Sequence, residues 1–163
     1  MSYIVSIDPA KCNGCRACEL ACSLTHTGAC WPGRSRVRVV TEEANGRSES
    51  VPVLCQLCTV PACRLACPTG ATFEGGPVDA RLVAAEKCIS CAGCVWACPF
   101  GASSLDPVTG VAQRCDLCSG EPRCVIHCPT GALTYRQDNQ VGIEERRRKA
   151  RILLNVQGLI QLK

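Results

Sequence analysis

The stretch CISCAGCVWACPFGA, residues 88–102, contains four cysteines separated by two, two and three residues, and a proline follows the last of them. A near copy of its end, CVIHCPTGA, returns at residues 124–132. Internal repeats show how a chain is organised before any secondary structure is assigned. The protein has 163 residues, of which 17 are cysteines, and 16 of these cysteines fall into four motifs of the same form.

Each motif has three closely spaced cysteines and a fourth that lies four positions after the third. The motifs are CNGCRACELAC (Cys12, Cys15, Cys18, Cys22), CQLCTVPACRLACP (Cys55, Cys58, Cys63, Cys67), CISCAGCVWACP (Cys88, Cys91, Cys94, Cys98) and CDLCSGEPRCVIHCP (Cys115, Cys118, Cys124, Cys128). Residues four apart share one face of a helix and lie about 5.4 Å apart along its axis. Three thiolates can therefore wrap one iron-sulfur cluster while the fourth reaches a second cluster, as in the bacterial ferredoxin run. This geometry requires the motifs to act in pairs.

A proline follows the fourth cysteine in three motifs and is expected to end a short helix there, because it disfavours the α conformation of the residue before it. Motif one has Ser23 in this place, so its helix is predicted to continue through residues 24–26. Residues 36–53 predict an exposed two-stranded hairpin around the Asn45-Gly46 pair. Shorter strands are predicted to flank the helices, with turns at residues 75–76 and 106–110.

Three other uses of dense cysteines are weaker interpretations. Structural zinc usually takes two plus two ligands from separate hairpins, whereas the trailing Cys-Pro is the ferredoxin pattern. The N-terminus MSYIVSIDPAKC has no export signal, which disfavours a secreted disulfide scaffold and makes the cytoplasm the expected location. Ligating cysteines are not free nucleophiles, so catalytic thiol chemistry is disfavoured.

The remaining composition excludes several classes of partner. The formal charge is +4, but iron-bound thiolates make the loaded protein more acidic, so we do not interpret the charge as a sign of nucleic-acid binding. No segment has the length of a membrane span. His26 and His127 are expected to lie outside the ligand sets, because every motif already has four thiols. Cys30 is expected to be a small buried hydrophobe.

The motif order, with gaps of 2,2,3, then 2,4,3, 2,2,3 and 2,5,3, resembles the four-cluster electron-transfer subunits of molybdenum and tungsten oxidoreductases. The dimethyl sulfoxide reductase iron-sulfur subunit is the best-known type, and the short, signal-free form resembles the small cytoplasmic kind. The resemblance covers residues 4–135, including VPVLCQLC and RCDLC. Some members replace one cysteine by tryptophan, but Trp96 takes no ligand position here, so four [4Fe-4S] clusters are expected.

The resemblance implies an α+β fold of two ferredoxin-like dicluster modules with pseudo-twofold symmetry. Residues 1–54 and 99–140 would form the outer module, with hairpin 36–53, and residues 55–98 the inner module. Spacing alone does not decide how the motifs pair, and the resemblance favours a nested scheme. The implied ligand sets are Cys12, Cys15, Cys18 and Cys128 for cluster 1; Cys22, Cys115, Cys118 and Cys124 for cluster 2; Cys55, Cys58, Cys63 and Cys98 for cluster 3; and Cys67, Cys88, Cys91 and Cys94 for cluster 4.

No catalytic constellation is visible, so the chain is expected to be a non-catalytic electron-transfer subunit. The resemblance implies a larger catalytic partner, with a tungsten or molybdenum aldehyde oxidoreductase preferred. Partnership with carbon monoxide dehydrogenase or hydrogenase, and a free-standing polyferredoxin, are the alternatives. A flavin- or NAD(P)H-linked subunit is a further candidate partner. Residues 141–163 predict a helix that either packs on its own domain or docks to another chain, including a second copy.

Overall fold

Short strands and short helices alternate with the four cysteine motifs. The computed structural model describes residues 3–44 and 47–137. Its elements are β1 (Tyr3–Ile7), α1 (Ala17–Thr27), β2 (Arg38–Ala44), β3 (Arg47–Val53), α2 (Ala62–Leu65), β4 (Thr72–Gly75), β5 (Ala80–Val83), α3 (Gly93–Trp96), β6 (Ser104–Leu105), β7 (Ala112–Gln113), α4 (Arg123–Ile126) and β8 (Leu133–Gln137). The predicted mixture of helices and strands is confirmed. The predicted helix at residues 141–163 and the Asn45-Gly46 turn lie outside the described residues.

Each α-helix begins inside a cysteine motif. The helices α2, α3 and α4 have four residues each, and each ends before a Cys-Pro pair. Proline disfavours the α conformation of the preceding cysteine, which explains these short lengths. In motif one, α1 runs for 11 residues to Thr27, and the residue after it, Gly28, has a φ of 70°. The prediction that this helix continues beyond Cys22 is confirmed.

The two ends of the described chain meet in the antiparallel pair of β1 and β8, in which Val5 lies opposite Tyr135. Beyond the sheet, the backbone N–H of Asp8 donates to the carbonyl of Ala132 at 2.8 Å. Motif one follows β1 directly and motif four precedes β8 directly. This pairing therefore brings motifs one and four together, although more than a hundred residues of sequence separate their first cysteines.

The strands β2 and β3 form the predicted hairpin, with Arg38 opposite Val53. The base of this hairpin is buried rather than exposed, because Val37 and Val39 pack into the core. The carboxylate of Glu19 on α1, itself buried, accepts a hydrogen bond from the backbone N–H of Val39 at 2.6 Å. The prediction of an exposed hairpin is thus wrong at its base, since Val37 and Val39 belong to the buried core.

Two smaller hairpins connect the later motifs. The strands β4 and β5 lie between motifs two and three, and β6 and β7 lie between motifs three and four. Asp106 shapes the second turn by accepting hydrogen bonds from the backbone N–H groups of Val108 at 2.8 Å and Thr109 at 2.9 Å. Its other oxygen accepts from Arg34 Nε at 2.8 Å, which fastens the turn to the segment after α1.

Cysteines form a large part of the main buried cluster. Its ten members are Val5, Cys18, Cys22, Val37, Val39, Leu54, Cys115, Leu117, Cys124 and Leu133. A chain with so few aromatic residues has limited apolar area to bury, so cross-links through metal supplement its packing. Among the described residues, no helix has both the length and the apolar character needed to cross a membrane.

Candidate iron-sulfur centres

The loop at the start of each motif contains a left-handed residue at the same position. Two places after the first cysteine, φ is positive in all four motifs, at Gly14 (73°), Leu57 (48°), Ser90 (56°) and Leu117 (58°). Such bends turn successive backbone N–H groups toward one point and form a concavity that favours an anionic group, as at many Fe–S sites. Leucine and serine rarely adopt this conformation unless their surroundings hold it, so the repeated bend indicates loops shaped around a ligand.

The structure gathers the sixteen motif cysteines into four groups, and each group lines one cavity. Group 1 is Cys12, Cys15, Cys18 and Cys128; group 2 is Cys22, Cys115, Cys118 and Cys124; group 3 is Cys55, Cys58, Cys63 and Cys98; and group 4 is Cys67, Cys88, Cys91 and Cys94. These groups have the same members as the four sets that the family resemblance implies. Their role as iron ligands stays a prediction.

Every group combines three cysteines of one motif with one cysteine of another. The fourth cysteine of each motif joins the first three cysteines of another motif, because α1 packs against α4 and α2 packs against α3. Cys18 and Cys22 lie one turn apart on α1, so Cys18 joins group 1 while Cys22 reaches group 2. One helical turn thus separates two neighbouring centres.

The residues fit a polyatomic sulfur-ligated cluster. Each cavity is lined by three thiols of one motif and one thiol of another. Four thiols in one group are the donors that a [4Fe–4S] cluster takes. At group 2, His26 and Asp116 also lie close enough to Cys118 to offer metal-ligand atoms.

Burial makes several of these thiols poor acids without a metal. It raises the pKa of Cys18 and of Cys124 to about 12, and the pKa of Cys115 well above the usual value. Four thiolates in one such group therefore require a bound cation, because metal ligation depends on deprotonated cysteine. Cys67 differs, since the hydrogen bonds around it outweigh the effect of burial and lower its pKa to about 7.

Backbone N–H groups of the described residues donate to the sulfur atoms of several motif cysteines. Arg36 donates to Cys22 Sγ at 3.3 Å, Ala102 to Cys98 Sγ at 3.3 Å, and Ala112 to Cys88 Sγ at 3.5 Å. Hydrogen bonds to the sulfurs favour the anionic form of the ligand and are one determinant of cluster potential. These donors come from loops and strands outside the four cysteine motifs or just after them.

A charged cluster of three side chains lies beside group 2. The imidazole of His26 is hydrogen-bonded to the Cys22 carbonyl at 2.8 Å through Nδ1 and to Asp116 Oδ1 at 3.1 Å through Nε2. Arg36 forms an ion pair with the same carboxylate. Burial opposes the imidazolium, but the bonds to Asp116 and Cys22 outweigh it and raise the pKa of His26 to about 10. His26 thus lies next to the predicted ligand Cys22 and also lines the cavity of group 2, so its expected place outside the ligand set stays a prediction.

Sequence reasoning missed Asp116 and Arg36 as neighbours of this centre. A carboxylate between two cysteines, as in CDLC, was the available signal, because an acid beside an anionic group needs a cation nearby. Nothing local identifies Arg36 as that cation, since it comes from a separate segment. The arginines beside group 3, Arg81 and Arg114, were missed for the same reason.

Cys30 belongs to none of the four groups and is exposed. The expectation that it would be a small buried hydrophobe is wrong. It lies in the turn after α1, which ends at Thr27, and this turn runs over the surface. His127 is likewise exposed, next to Cys128.

Comparison with known proteins identifies the family. Residues 47–138 match the family described as a 4Fe-4S dicluster domain, and residues 4–29 match a 4Fe-4S binding domain. The polyferredoxin-like subunit of an aliphatic sulfonate oxidoreductase from Pyrococcus furiosus is 44% identical over 124 residues, which are 76% of this chain and 70% of that protein. The electron transfer subunit PhsB of a thiosulfate reductase from Salmonella typhi is 38% identical over 148 residues, covering 82% of this chain and 74% of that protein.

A third relative is much longer than this chain. The beta subunit of an NADH-dependent phenylglyoxylate dehydrogenase from Aromatoleum evansii is 37% identical over 131 residues, which are 80% of this chain but only 29% of that protein. This chain therefore spans less than a third of that relative. The family matches together include all four cysteine motifs, and two relatives are similar over most of their own length. This chain belongs to the family of ferredoxin-like iron-sulfur proteins with 4Fe-4S dicluster domains.

Proposed function

We propose that this chain is the non-catalytic electron-transfer subunit of an oxidoreductase complex and that it holds four [4Fe-4S] clusters. The observation that carries the proposal is the gathering of sixteen cysteines into four groups of four, each around its own cavity. Each group would bind one cluster through its four thiolates. When bound, a cluster of this type supplies one-electron redox chemistry.

The groups are suited to electron transfer because they adjoin one another in the order 1, 2, 3, 4. Groups 1 and 2 share α1, and groups 3 and 4 share α2 and α3. Between groups 2 and 3, Cys55 packs against the buried cluster that contains Cys115. This succession supports a single path with a terminal centre at each end.

The chain's own residues have two tasks in this function. Cys18, Cys94, Cys115 and Cys124 are buried, so the surrounding chain keeps water from those sulfurs. The N–H donors and the charged side chains near the groups set the local electrostatics, and potentials of such clusters depend on charge, hydrogen bonding and solvent exposure. The four centres therefore need not share one potential.

The two-module organisation is part of the proposal. The contact of α1 with α4, closed by β1 and β8, supports an outer module of residues 1–54 and 99–140, and the contact of α2 with α3 supports an inner module of residues 55–98. The repeated left-handed bends support pseudo-twofold symmetry between them. The hairpin of β6 and β7, within residues 99–140, nevertheless lines the cavity of group 4, so it contacts the inner module.

The partner is proposed to be a larger catalytic subunit. The names of the relatives from Pyrococcus furiosus and Salmonella typhi describe subunits of oxidoreductases, which supports this role. A tungsten or molybdenum enzyme remains the preferred partner, and a flavin- or NAD(P)H-linked subunit remains a further candidate. Docking or self-association through residues 141–163 stays a prediction that lies outside the described residues.

A test begins with purification of the native complex without oxygen. We expect this chain to carry about sixteen irons and as many inorganic sulfides, since four clusters of four irons would be bound. A larger subunit should purify with it, and metal analysis of that subunit distinguishes tungsten or molybdenum from other centres. Stoichiometric zinc in place of iron would contradict the proposal, and a loaded chain that purifies alone would favour a free polyferredoxin.

The decisive variant is Cys91→Ala, which removes one thiol of group 4, with Cys30→Ser as the matched control. Substrate should still reduce the catalytic centre in a single turnover, while steady-state transfer to the distal acceptor falls in Cys91→Ala and not in Cys30→Ser. The control thiol is exposed and belongs to no group, so its loss tests the effect of removing a cysteine as such. Unchanged steady-state turnover after loss of each cluster in turn would show that the clusters do not carry the electrons.

A further inference from the structure

Two arginines lie buried at the cavity of group 3. Arg81 is 5% exposed and Arg114 is 3% exposed, and both side chains line this cavity together with the four cysteines of the group. Arginine is almost never buried to this degree without a partner for its charge. The role of these two arginines therefore depends on which groups neutralise their charges.

Arg81 has partners within the protein. Its Nη2 donates a hydrogen bond to the carbonyl of Cys58 at 2.8 Å, which fixes the guanidinium against a loop of motif two. The same guanidinium forms an ion pair with Glu74 on β4. The Glu74 side chain is 44% exposed, so water weakens the neutralisation that this carboxylate provides.

Arg114 lacks such partners. Its Nε, Nη1 and Nη2 atoms are all buried, and none of them donates a hydrogen bond within the described part of the chain. An unpaired buried charge is strongly destabilising, so Arg114 requires a counter-anion.

Within the described residues, no other cysteine group has a buried arginine without a partner at its cavity. No charged side chain lines the cavity of group 4. At group 2, Arg36 and His26 are both paired with Asp116, and at group 1 the lining arginine, Arg16, is exposed. An uncompensated buried positive charge is therefore specific to group 3.

We propose that Arg114, supported by Arg81, is the counter-charge of the cluster at group 3 and raises the reduction potential of that centre above that of group 4. This inference rests on the proposed function. A [4Fe–4S] group with four thiolates is anionic, and reduction adds one electron and one further negative charge. A fixed cation beside it stabilises the reduced form more than the oxidised form, because the reduced form carries one more negative charge, and the low-dielectric interior strengthens this interaction.

The alternative to the cluster is a small anion that neutralises the two arginines. Both of them also line a larger polar cavity on their other side, together with Arg34, Asp106 and Gln113. A small inorganic anion bound there would neutralise Arg114 without involving the cluster. The geometry favours the cluster, because the group 3 thiols already lie at the arginines and need no additional ligand.

The test is a redox titration of the isolated, iron-loaded chain, followed by electron paramagnetic resonance, with dithionite as the electron donor. Arg114→Met should shift one of the potentials to a lower value, whereas Arg114→Lys, which keeps the charge, should leave it near that of the unaltered protein. Glu74→Gln should shift the same potential upward, because it removes the compensating carboxylate from Arg81. The shifted signal should be the one altered by Cys58→Ser, which identifies group 3.

The outcomes separate this inference from the proposed function. An unaltered chain without iron-sulfur clusters would contradict the function, whatever the arginines do. Full iron content in Arg114→Met with unchanged potentials would overturn the inference, as would an equal shift in Arg114→Lys. A shift that appears only on adding phosphate or chloride would assign the arginines to an anion in the larger cavity. If Arg114→Met fails to load iron, unchanged potentials in Glu74→Gln overturn the inference by themselves.

Discussion

The left-handed residues of the four loops are the smallest units on which these centres depend. Where glycine occupies such a position, a side chain is costly for two separable reasons. One reason is the backbone conformation itself, which costs an L-residue roughly 1–2 kcal/mol. The other is space, because a β-carbon at Gly14 would lie 2.7 Å from Ser50 Oγ, while one at Gly28 would meet nothing within 4 Å.

We therefore expect Gly14→Ala to destabilise the loaded protein more than Gly28→Ala, although φ is 73° at the first position and 70° at the second. Gly28→Ala should cost about 1 kcal/mol from conformation alone. Gly14→Ala must also displace the Ser50 hydroxyl, which is hydrogen-bonded to Thr41 at 2.9 Å. Thermal loss of the visible cluster absorbance measures both effects, and equal midpoints for the two variants would show that the clash is relieved without cost.

The partners of a charged side chain can differ even between residues that are close together in sequence. Asp116 and Arg114 flank Cys115 in sequence, yet the structure gives them different surroundings. Asp116 is paired with His26 and Arg36 beside group 2, whereas Arg114 is turned to group 3 and has no partner among the described residues. Residues two apart on an extended backbone share a face, and both side chains line the larger polar cavity, so their difference lies in the partners that other segments supply.

At the scale of elements, the turn between β6 and β7 joins two parts of the chain through a single carboxylate. Asp106 binds two backbone N–H groups of its own turn and the Arg34 side chain. These bonds outweigh the effect of burial and lower the pKa of Asp106 below its usual value. A lowered folded-state pKa gives stability that is fully present above the ordinary aspartate pKa and is lost as the pH falls through the lowered value.

Two substitutions at this turn separate charge from hydrogen bonding. Asp106→Ala should destabilise the protein by roughly 2–3 kcal/mol, because it leaves three donors without their acceptor. Asp106→Asn should cost less, since its amide oxygen still accepts from the turn. Both differences from the unaltered protein should be the same at pH 6 and pH 8, because Asp106 is ionised throughout that range. Thermal midpoints at the two pH values provide the measurement, and a marked pH dependence would argue against this source of stability.

At the scale of the whole molecule, closure of the chain by β1 and β8 is proposed to set the pairing of the motifs. Cys18 and Cys22 are one helical turn apart but lie in different groups, while Cys22 and Cys124 are distant in sequence but lie in the same group. Nested pairing therefore predicts that substitutions of Cys22 and Cys124 affect the same cluster, whereas substitutions of Cys18 and Cys22 affect different clusters. Double variants can reveal that pattern.

We expect the double variant Cys22→Ser with Cys124→Ser to disrupt one cluster, the same one as either single change. The double variant Cys18→Ser with Cys22→Ser should disrupt two clusters, because each thiol serves a different centre. Mössbauer spectroscopy with iron analysis counts the intact four-iron clusters in each case. Additive losses in the first variant, or a single loss in the second, would falsify the nested scheme.

Several features of the fold could be read from local sequence. The Cys-Pro pairs predicted three short helices, Ser23 predicted the longer α1, and the alternating residues of 36–53 predicted a hairpin, all of which the structure contains. The thiol spacing predicted four iron-sulfur motifs, and the comparisons confirm a 4Fe-4S family. These predictions succeed because helix ends, hairpins and ligand spacing depend on residues close together in the chain.

The features that depend on distant residues required the tertiary structure. Spacing left the pairing of motifs open, and the contact of α1 with α4 arises only when β1 meets β8. Burial of Arg114 without a partner, exposure of Cys30 and the covered base of the hairpin have no local signal either. The number and spacing of the candidate thiol ligands can be read from the sequence, because they depend on residue type and local order alone. Which thiols meet and which charges surround them depends on the folded chain, because burial and low dielectric are created when remote segments pack together.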